Sequence, residues 1–322
     1  MVEPVLEVQD LSVEYEAGTG TFHALTGVSV RLDPGRVVGI VGETGSGKST
    51  LAHAIPRLLP EPPARIVSGR IAFRGVDVLD LPKWKLPLLR GTGIGMIFQE
   101  PINSLNPAYR IFDQVAEAVA VRKLRDAGEA PTLFPAPEPH DYSKGTTVKT
   151  GEALLHPIAT TLPRRRSRAR REALMQDVLD YLKLVRINDP ETILDLYPHE
   201  LSGGMRQRVE IARALAANPD IIYMDEPFGA LDFLTRLKMR TDLVRIWQSE
   251  KKTILFVTHD IEEAVQLADR VLIMTARPAT IQEVVDVDLP RPRHLDSPGY
   301  LEKRDRIFQL MGMSLRVGET AA

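Results

Sequence analysis

Residues 42–50, "GETGSGKST", decide how this sequence folds. They match the pattern G-x-x-x-x-G-K-[ST] and lie between the apolar run "GRVVGIVG" and the helix-like "KSTLAHAIPRLL". The glycines let successive backbone N–H groups converge on phosphate oxygens at the positive end of a helix. Lys48 would reach the β- and γ-phosphates, and Ser49 would ligate Mg²⁺. The stretch therefore predicts a strand–loop–helix unit that binds a nucleotide, rather than a plain Gly-rich turn.

Further along the chain, strands and helices alternate. "DIIYMDE", "KTILFVTH" and "RVLIMTA" are apolar runs typical of strands buried on both faces, and stretches of helical periodicity separate them. This alternation predicts βαβ units and a parallel sheet. Near the start, "VLEVQDLSVEY" and "FHALTGVSVRL" show the alternation of two strands joined by the polar "EAGTGT". The predicted fold class is α/β.

Polar side chains end several of these apolar runs, where ligands of parallel sheets collect. Asp225 would hold Mg²⁺ through water, and Glu226 would orient and partly deprotonate an attacking water. Gln99, which ends "GMIFQ", would sense Mg²⁺ or that water. His259, which ends "ILFVTH", would contact the γ-phosphate and link it to Asp260. A strand-ending turn for Asp-Glu-Pro and a structural role for His259 remain open as alternatives.

The composition narrows the classes of function. The chain has 322 residues, a formal net charge of −2 and no cysteine, which excludes disulfides, thiolate metal sites and cysteine nucleophiles. The near-neutral charge provides no general attraction to nucleic acid. No apolar run is long enough to span a bilayer, and the first residues lack the apolar segment of a signal peptide. We therefore expect a cytoplasmic protein that reaches a membrane only through partners.

A second small-residue stretch, "LSGGMRQRVEIARAL" at residues 201–215, has the features of a phosphate cradle without a lysine. Ser202, Gly203 and Gly204 begin a helix, so free N–H groups and a hydroxyl can face an anion. A simple helix cap is the alternative. The stretch lies just before the strand that ends in Asp225 and Glu226, and in sequence and position it resembles the signature loop of ATP-binding cassette (ABC) ATPases.

This resemblance extends from about residue 5 to 275 with all motifs in order, and it implies ATP and Mg²⁺ as cofactors. Tyr15 matches the aromatic residue that stacks on adenine, although a packing role is the alternative. The cofactor-binding residues implied by the resemblance are Tyr15, Gly42, Glu43, Thr44, Gly45, Ser46, Gly47, Lys48, Ser49, Thr50, Ser202, Gly203, Gly204, Gln207 and Asp232. The implied catalytic residues are Glu226, His259 and Gln99, and the implied metal ligands are Ser49, Gln99 and Asp225.

The resemblance also implies an architecture, the P-loop ABC ATPase fold. We expect a parallel-sheet core (about 1–99 and 203–275), an N-terminal antiparallel β subdomain, and an inserted helical subdomain (about 100–202). In this family two cassettes pair head to tail, and each signature loop closes on the γ-phosphate held by the other cassette. Such pairing explains the missing lysine. A homodimer and a heterodimer are both compatible with the sequence.

Importer ATPases are the branch that the chain resembles. "RGTGIGMIFQEPINSLNPAYRIFDQVAEAV" is similar to peptide and nickel importers, whereas "MDEPFGALDFLTRLKM" is similar to nitrate, sulfonate and taurine importers. The resemblance implies transmembrane permease subunits as partners, an extracytoplasmic substrate-binding protein that acts through them, and a place on the cytoplasmic face of the membrane. The alternatives are an efflux cassette and a non-transport ABC ATPase acting on nucleic acid.

Three segments depart from the family pattern. Residues 122–165 resemble an insertion, rich in Pro and Gly, which is either a mobile loop or an ordered partner contact. "RRRSRARR", Arg164–Arg171, could touch nucleic acid or anionic lipid, or could be a solvated helix start. Residues 276–322 are expected to form a C-terminal extension with one helix, capped by Ser297 and with Pro298 in its first turn.

Overall fold

The computed structural model describes residues 2–18, 20–99, 104–129 and 168–313. Most of the predicted insertion at 122–165, and the basic run as far as residue 167, lie outside the described residues.

A four-stranded antiparallel sheet forms the N-terminal part of the protein, with strand order β2-β1-β4-β5. Buried and more exposed side chains alternate along parts of β1 and at the end of β2, as expected for a sheet with one face in contact with a core. The predicted antiparallel β subdomain is confirmed. Its strands are β1 (Leu6–Ala17), β2 (Gly20–Leu32), β4 (Ala64–Phe73) and β5 (Val76–Asp77).

A six-stranded sheet forms the centre, with strand order β10-β9-β3-β8-β7-β6. The five strands from β9 to β6 are parallel, which confirms the predicted α/β fold class, and β10 runs antiparallel at one edge. The sequence did not predict β10. The strands are β3 (Val37–Gly42), β6 (Ile94–Ile97), β7 (Ile221–Asp225), β8 (Thr253–Thr258), β9 (Arg270–Met274) and β10 (Ile281–Asp286).

The apolar runs of the central strands fill two cores, one on each face of this sheet. Along β8, Phe256 belongs to the core under the helices, while Leu255 and Val257 belong to the core shared with the antiparallel sheet. Successive side chains of a strand point to opposite faces, so a strand covered on both sides needs an unbroken apolar run. This requirement explains why "ILFVT" and "IIYM" are mainly apolar and carry no charged residues.

Helices cover the central sheet, and α3, α4 and α5 pack against one another. Among the described residues, no helix combines the length and the apolar character needed to cross a membrane. The helices are α1 (Lys48–Ala54), α2 (Leu86–Leu89), α3 (Ile111–Asp126), α4 (Arg168–Leu184), α5 (Gly203–Ala216), α6 (Phe233–Glu250), α7 (Ile261–Leu267) and α8 (Pro298–Leu310).

Helix α3 extends a few residues past the expected start of the insertion, at about residue 122. The helix continues to Asp126. Arg122 donates to Asp177 of α4 at 3.2 Å, and Arg125 donates to the carbonyl oxygen of Asn218 at 3.1 Å. These contacts to neighbouring elements hold the last helical turn in place, and sequence periodicity alone did not reveal them.

The C-terminal extension is joined to the central sheet by β10 and to helix α7 by α8. Tyr300 of α8 is fully buried, and its hydroxyl donates to the carbonyl oxygen of Glu262 at 3.0 Å. Arg293 is also buried and donates to the carbonyl oxygens of Val265 and Ala268, both at 2.6 Å. Because the last carbonyls of a helix lack intrahelical donors, Arg293 satisfies the end of α7.

Candidate active site

The phosphate loop, residues 42–50, connects β3 to α1. Gly45 and Gly47 have left-handed backbone angles, with φ of 82° and 83°. A Cβ atom at Gly47 would lie 2.8 Å from a methyl carbon of Leu25 and 2.9 Å from the carbonyl oxygen of Ala24. Only glycine fits this position without displacing its neighbours. The loop therefore wraps around the start of α1, where free N–H groups attract phosphate.

Lys48 is the cation of the phosphate loop, and its side chain is 5% exposed. Its Nζ donates to the carbonyl oxygens of Gly42 at 2.8 Å and Glu43 at 2.7 Å. Burial lowers the pKa of Lys48, while the charges of Glu226 and Asp225 raise it. The ammonium group is therefore anchored on the loop. It also lies within electrostatic range of Asp225, the last residue of β7, and of Glu226, the next residue.

The strand order of the central sheet decides which polar side chains meet. Strand β7 lies between β6 and β8, so the residues after these three strands are neighbours at the carboxyl edge. Nε2 of Gln99 donates to Oε2 of Glu226 at 3.0 Å, and Nδ1 of His259 lies 3.2 Å from the same oxygen. The three residues predicted as catalytic thus form one cluster around a single carboxylate oxygen.

Glu226 has a strained backbone, with φ of 43°. Left-handed angles are costly for a residue with a Cβ atom, and they concentrate at functional sites. The N–H of Glu226 donates to the carbonyl oxygen of Val257 at 2.9 Å, and its own carbonyl accepts from the N–H of Gly229 at 3.0 Å. Pairing with β8 and a tight turn therefore impose the conformation that places the carboxylate.

Asp225 and Ser49 offer oxygen donors suited to Mg²⁺. Burial raises the pKa of Asp225; His53 and Lys48 lower it, and adjacent Glu226 raises it. Neighbouring carboxylates in a buried site favour a bound cation, and the Ser49 hydroxyl is exposed. Mg²⁺ binds through few protein ligands together with substrate phosphates. The donor set fits, and the described residues hold no separate cluster of three or more His, Cys, Asp or Glu for a metal.

A stack of side chains flanks the phosphate loop. The hydroxyl of Tyr15 lies 3.4 Å from Oγ1 of Thr50, and its ring stacks on Phe22 with centroids 5.4 Å apart. The guanidinium of Arg277 lies 5.5 Å from the centre of the Phe22 ring and donates to the carbonyl oxygen of Gly45. Phe22 and Arg277 were not predicted from the sequence as residues of the site. The pairing of Tyr15 with Phe22 across β1 and β2 was the available indication.

The signature loop, Ser202–Gly204, begins helix α5. Oγ of Ser202 accepts from the N–H of Met205 at 3.3 Å, and Ser202 and Gly203 are exposed. Gln207 differs, because its side chain is only 1% exposed. It follows Ser202 by five residues, which places it roughly 140° around the helix. The structure therefore separates Gln207 from the surface that Ser202 presents.

Helix α6 starts beside the signature loop. A Cβ atom at Gly204 would lie 3.0 Å from the Thr235 methyl carbon. Asp232 caps α6 by accepting from the N–H of Thr235 at 3.1 Å, and hydrogen bonds from Thr235 lower the pKa of Asp232. Phe233 and Leu234 are 72% and 67% exposed. The signature loop and these apolar residues therefore share one open surface.

Comparisons with known proteins place this geometry in a family. A family model described as "ABC transporter" matches residues 25–229. A peptidoglycan transport ATP-binding protein of Agrobacterium fabrum is 37% identical over 292 residues, which cover 91% of this chain and 45% of that protein. An oligopeptide transport ATP-binding protein of Bacillus subtilis is 34% identical over 293 residues, which cover 91% of this chain and 70% of that protein.

Solved structures share the fold. The dimeric structure of MJ0796, a bacterial ABC transporter cassette, aligns with a TM-score of 0.63 at 24% identity, covering 88% of this chain and 100% of that chain. The structure of cbiO1 from Clostridium perfringens, part of an ABC transporter complex, aligns with a TM-score of 0.62, covering 97% and 100%. Given the fold, the motif order and the match over residues 25–229, the chain belongs to the ABC transporter family and is an ATPase of that family.

Proposed function

We propose that this chain is the ATP-hydrolysing subunit of a membrane importer for peptides or chemically similar small solutes. The observation that carries the proposal is the cluster of Gln99 and His259 on one oxygen of Glu226, at the sheet edge that also holds Lys48. The peptide branch is supported by relatives named for oligopeptide and dipeptide transport, whose alignments cover 91% and 95% of the chain. These alignments include the segment that resembles nitrate and sulfonate importers.

The arrangement supports direct hydrolysis by water. Glu226 accepts a proton from the water, whose oxygen bonds to the γ-phosphorus while the bond to the β–γ bridging oxygen breaks and ADP leaves. Gln99 and His259 hold the carboxylate in one orientation, and Lys48 exchanges loop carbonyls for phosphate oxygens. Each role follows from a contact that fixes a charge before the reaction, which is the basis of electrostatic catalysis.

Mg²⁺ would be held by Ser49 and Asp225, with Gln99 as a third candidate. When bound, the ion neutralises charge on the β- and γ-phosphates. The small number of protein donors at this edge would leave positions on the ion for phosphate oxygens of the nucleotide.

A second cassette completes the site in this proposal. The signature loop exposes helix N–H groups and the Ser202 hydroxyl, but it has no lysine of its own. Phe233 and Leu234 offer an apolar contact next to it. We infer that the signature loop binds the γ-phosphate held by a second cassette, either identical or homologous. Closing and opening of this pair would move permease subunits at the cytoplasmic face of the membrane, to which an extracytoplasmic binding protein delivers the solute.

The hydrolytic part of the proposal is tested by Glu226→Gln. The amide cannot accept the proton, so phosphate release should fall by about 100- to 10,000-fold. The variant should still bind ATP and accumulate as an ATP-bound dimer in size-exclusion chromatography. Glu191→Gln, the same chemical change at a side chain that is 58% exposed, serves as the control. Wild-type turnover by the Glu226 variant would contradict the assignment.

The transport part is tested on the intact complex. Affinity purification of this chain from native membranes should recover membrane-spanning subunits, and peptides presented with the binding protein should stimulate ATP hydrolysis. Stimulation by nitrate or sulfonates alone would overturn the peptide assignment. Salt-sensitive binding to duplex DNA or RNA, without membrane partners, would favour the non-transport alternative.

A further inference from the structure

Glu210, in the middle of helix α5, is completely buried. Its neighbours along the helix, Val209, Ile211 and Ala212, are buried apolar residues of the core. Moving a carboxylate from water to such a position costs on the order of several kcal/mol, unless hydrogen bonds compensate for the lost hydration. Burial raises the pKa of Glu210, and a hydrogen bond from the backbone of Phe98 opposes this shift.

That hydrogen bond connects α5 to the catalytic edge. The N–H of Phe98 donates to Oε1 of Glu210 at 3.0 Å. Phe98 follows β6 and directly precedes Gln99, whose Nε2 donates to Glu226 at 3.0 Å. A backbone amide next to a catalytic residue is therefore fixed by a side chain from a helix that begins at the signature loop.

Arg213 makes the matching contact on the other side of Gln99. It lies one turn after Glu210, on the same face of α5. Its Nη1 donates to the carbonyl oxygen of Ser104 at 2.8 Å, and Ser104 follows Gln99 by five residues in the chain. Burial lowers the pKa of Arg213, and the charge of Glu210 opposes this shift. One turn of α5 thus holds the chain both before and after Gln99.

We propose that Glu210 and Arg213 are positioning residues for ATP hydrolysis, which transmit the position of the signature-loop helix to Gln99. The proposal rests on the proposed function, because it assumes that Gln99 acts on Glu226. An apolar residue at position 210 would pack well but would leave the Phe98 N–H without its acceptor. The carboxylate therefore serves to fix the backbone.

The arrangement gives α5 two tasks. Its first turn carries the Ser202 hydroxyl toward the second cassette, and its middle holds Gln99 on the Glu226 of its own chain. A displacement of α5 that follows engagement of Ser202 reaches Glu226 through only two hydrogen bonds, from Phe98 to Glu210 and from Gln99 to Glu226. Closure at one nucleotide would thereby set the catalytic geometry at the other.

The test compares Glu210→Met with Glu210→Gln. Methionine fills similar volume without an acceptor, whereas the glutamine oxygen can still accept from Phe98. We expect Glu210→Met to lower kcat about 10- to 100-fold with KM for ATP within about threefold, since small misplacements of catalytic groups have effects of this size. The melting temperature should fall, because Glu210→Met leaves the Phe98 N–H without its acceptor and the partly buried Arg213 without its main counter-charge, so kcat is compared at a temperature where both proteins are folded. Glu210→Gln should restore kcat to within about threefold of wild type.

A double-mutant cycle with Gln99→Ala separates positioning from general damage. If Glu210 acts through Gln99, Glu210→Met should lower kcat little further in the Gln99→Ala background. Wild-type kcat for Glu210→Met, or fully additive losses, would overturn the inference. If wild type hydrolyses ATP and Glu226→Gln does not, either result leaves the proposed function standing. Absence of hydrolysis by wild type would overturn the proposed function itself.

Discussion

The phosphate loop at the start of α1 and the signature loop at the start of α5 both place small residues before a helix. They differ in what surrounds them. At the phosphate loop, Lys48 and Ser46 are 5% and 1% exposed, and the carboxylates of the sheet edge lie within electrostatic range. At the signature loop, Ser202 and Gly203 are exposed. Within the described residues, the Ser202 hydroxyl makes its hydrogen bond to the helix that it caps.

This difference shows how little of an anion site is specified by the helix start alone. Free N–H groups occur at every helix N-terminus, so selectivity comes from what the fold adds. Strand order adds Glu226 and His259 near the phosphate loop. Nothing comparable surrounds Ser202 within the described part of the chain, which is why we assign the rest of that site to a second cassette.

The largest effect should come from removing the cation that only the phosphate loop possesses. Lys48→Ala deletes a buried charge at the phosphates, so kcat/KM for ATP should fall about 1,000-fold. Lys183→Ala, at a lysine whose side chain is 53% exposed, is the matched control and should remain active. Equal activity of the two variants in a phosphate-release assay would remove the distinction between the loops.

A somewhat smaller effect should follow from blocking the signature loop. Ser202→Arg puts a bulky charge on an exposed surface, so hydrolysis should fall at least about 100-fold once a second cassette must close there. ATP affinity of the isolated monomer should not change, because Ser202 lies outside the phosphate loop. Titration calorimetry at low protein concentration measures this affinity. Its loss would contradict a role in the partner's site.

A buried carboxyl group in helix α7 predicts that the stability of the protein depends on pH. Glu263 of α7 lies between Thr258 and Arg240, and burial raises its pKa from 4.5 to about 7. The folded state favours the neutral form of Glu263. The contribution of Glu263 to the free energy of unfolding is therefore highest below pH 4.5 and decreases as pH rises toward 7. Glu263→Gln stays neutral. The free energy of unfolding of the variant minus that of wild type should therefore grow by about 3 kcal/mol over this interval.

Urea unfolding at several pH values measures this difference. It should level off above about pH 8, about one unit above the folded-state pKa, where Glu263 is largely ionised in both folded and unfolded wild type. A difference that does not change with pH would mean that Arg240 keeps the carboxylate ionised throughout.

The smallest effect concerns the contact of Tyr15 with the adenine base of ATP. Tyr15→Ala removes a stacking surface worth about 1–3 kcal/mol, so KM for ATP should rise about tenfold while kcat stays near wild type. Tyr15→Phe should retain the affinity, and Tyr109→Ala tests the loss of another exposed aromatic ring. A fall in kcat without a change in KM would place Tyr15 with the catalytic cluster instead.

The sequence alone predicted the elements whose patterns are local. Unbroken apolar runs identified the buried strands, and the polar residues after them identified the cluster at the carboxyl edge, because parallel strands end on one side. Gln99, Glu226 and His259 were found in this way. Their shared contact on one oxygen required the strand order, which no local pattern contains.

Other features depend on tertiary packing and were not predictable. Strand β10 is half exposed and carries charges, so its sequence lacks the apolar run of a central strand. A glutamate within an amphipathic helix normally indicates a solvated face, yet Glu210 is buried. Arg277 reaches Gly45 from a loop that follows β9, far away in sequence.

The C-terminal extension changes what counts as an exchangeable module. Helix α7 begins two residues after His259. Tyr300 donates a hydrogen bond to Glu262 in its first turn, and Arg293 donates to carbonyl oxygens at its far end. A chimeric protein that contains this chain only up to residue 275 would keep His259. It would lack Arg293 and Tyr300, which donate hydrogen bonds to helix α7. Chimeras should therefore be joined after Leu310, so that the motifs and the C-terminal residues that support them come from the same chain.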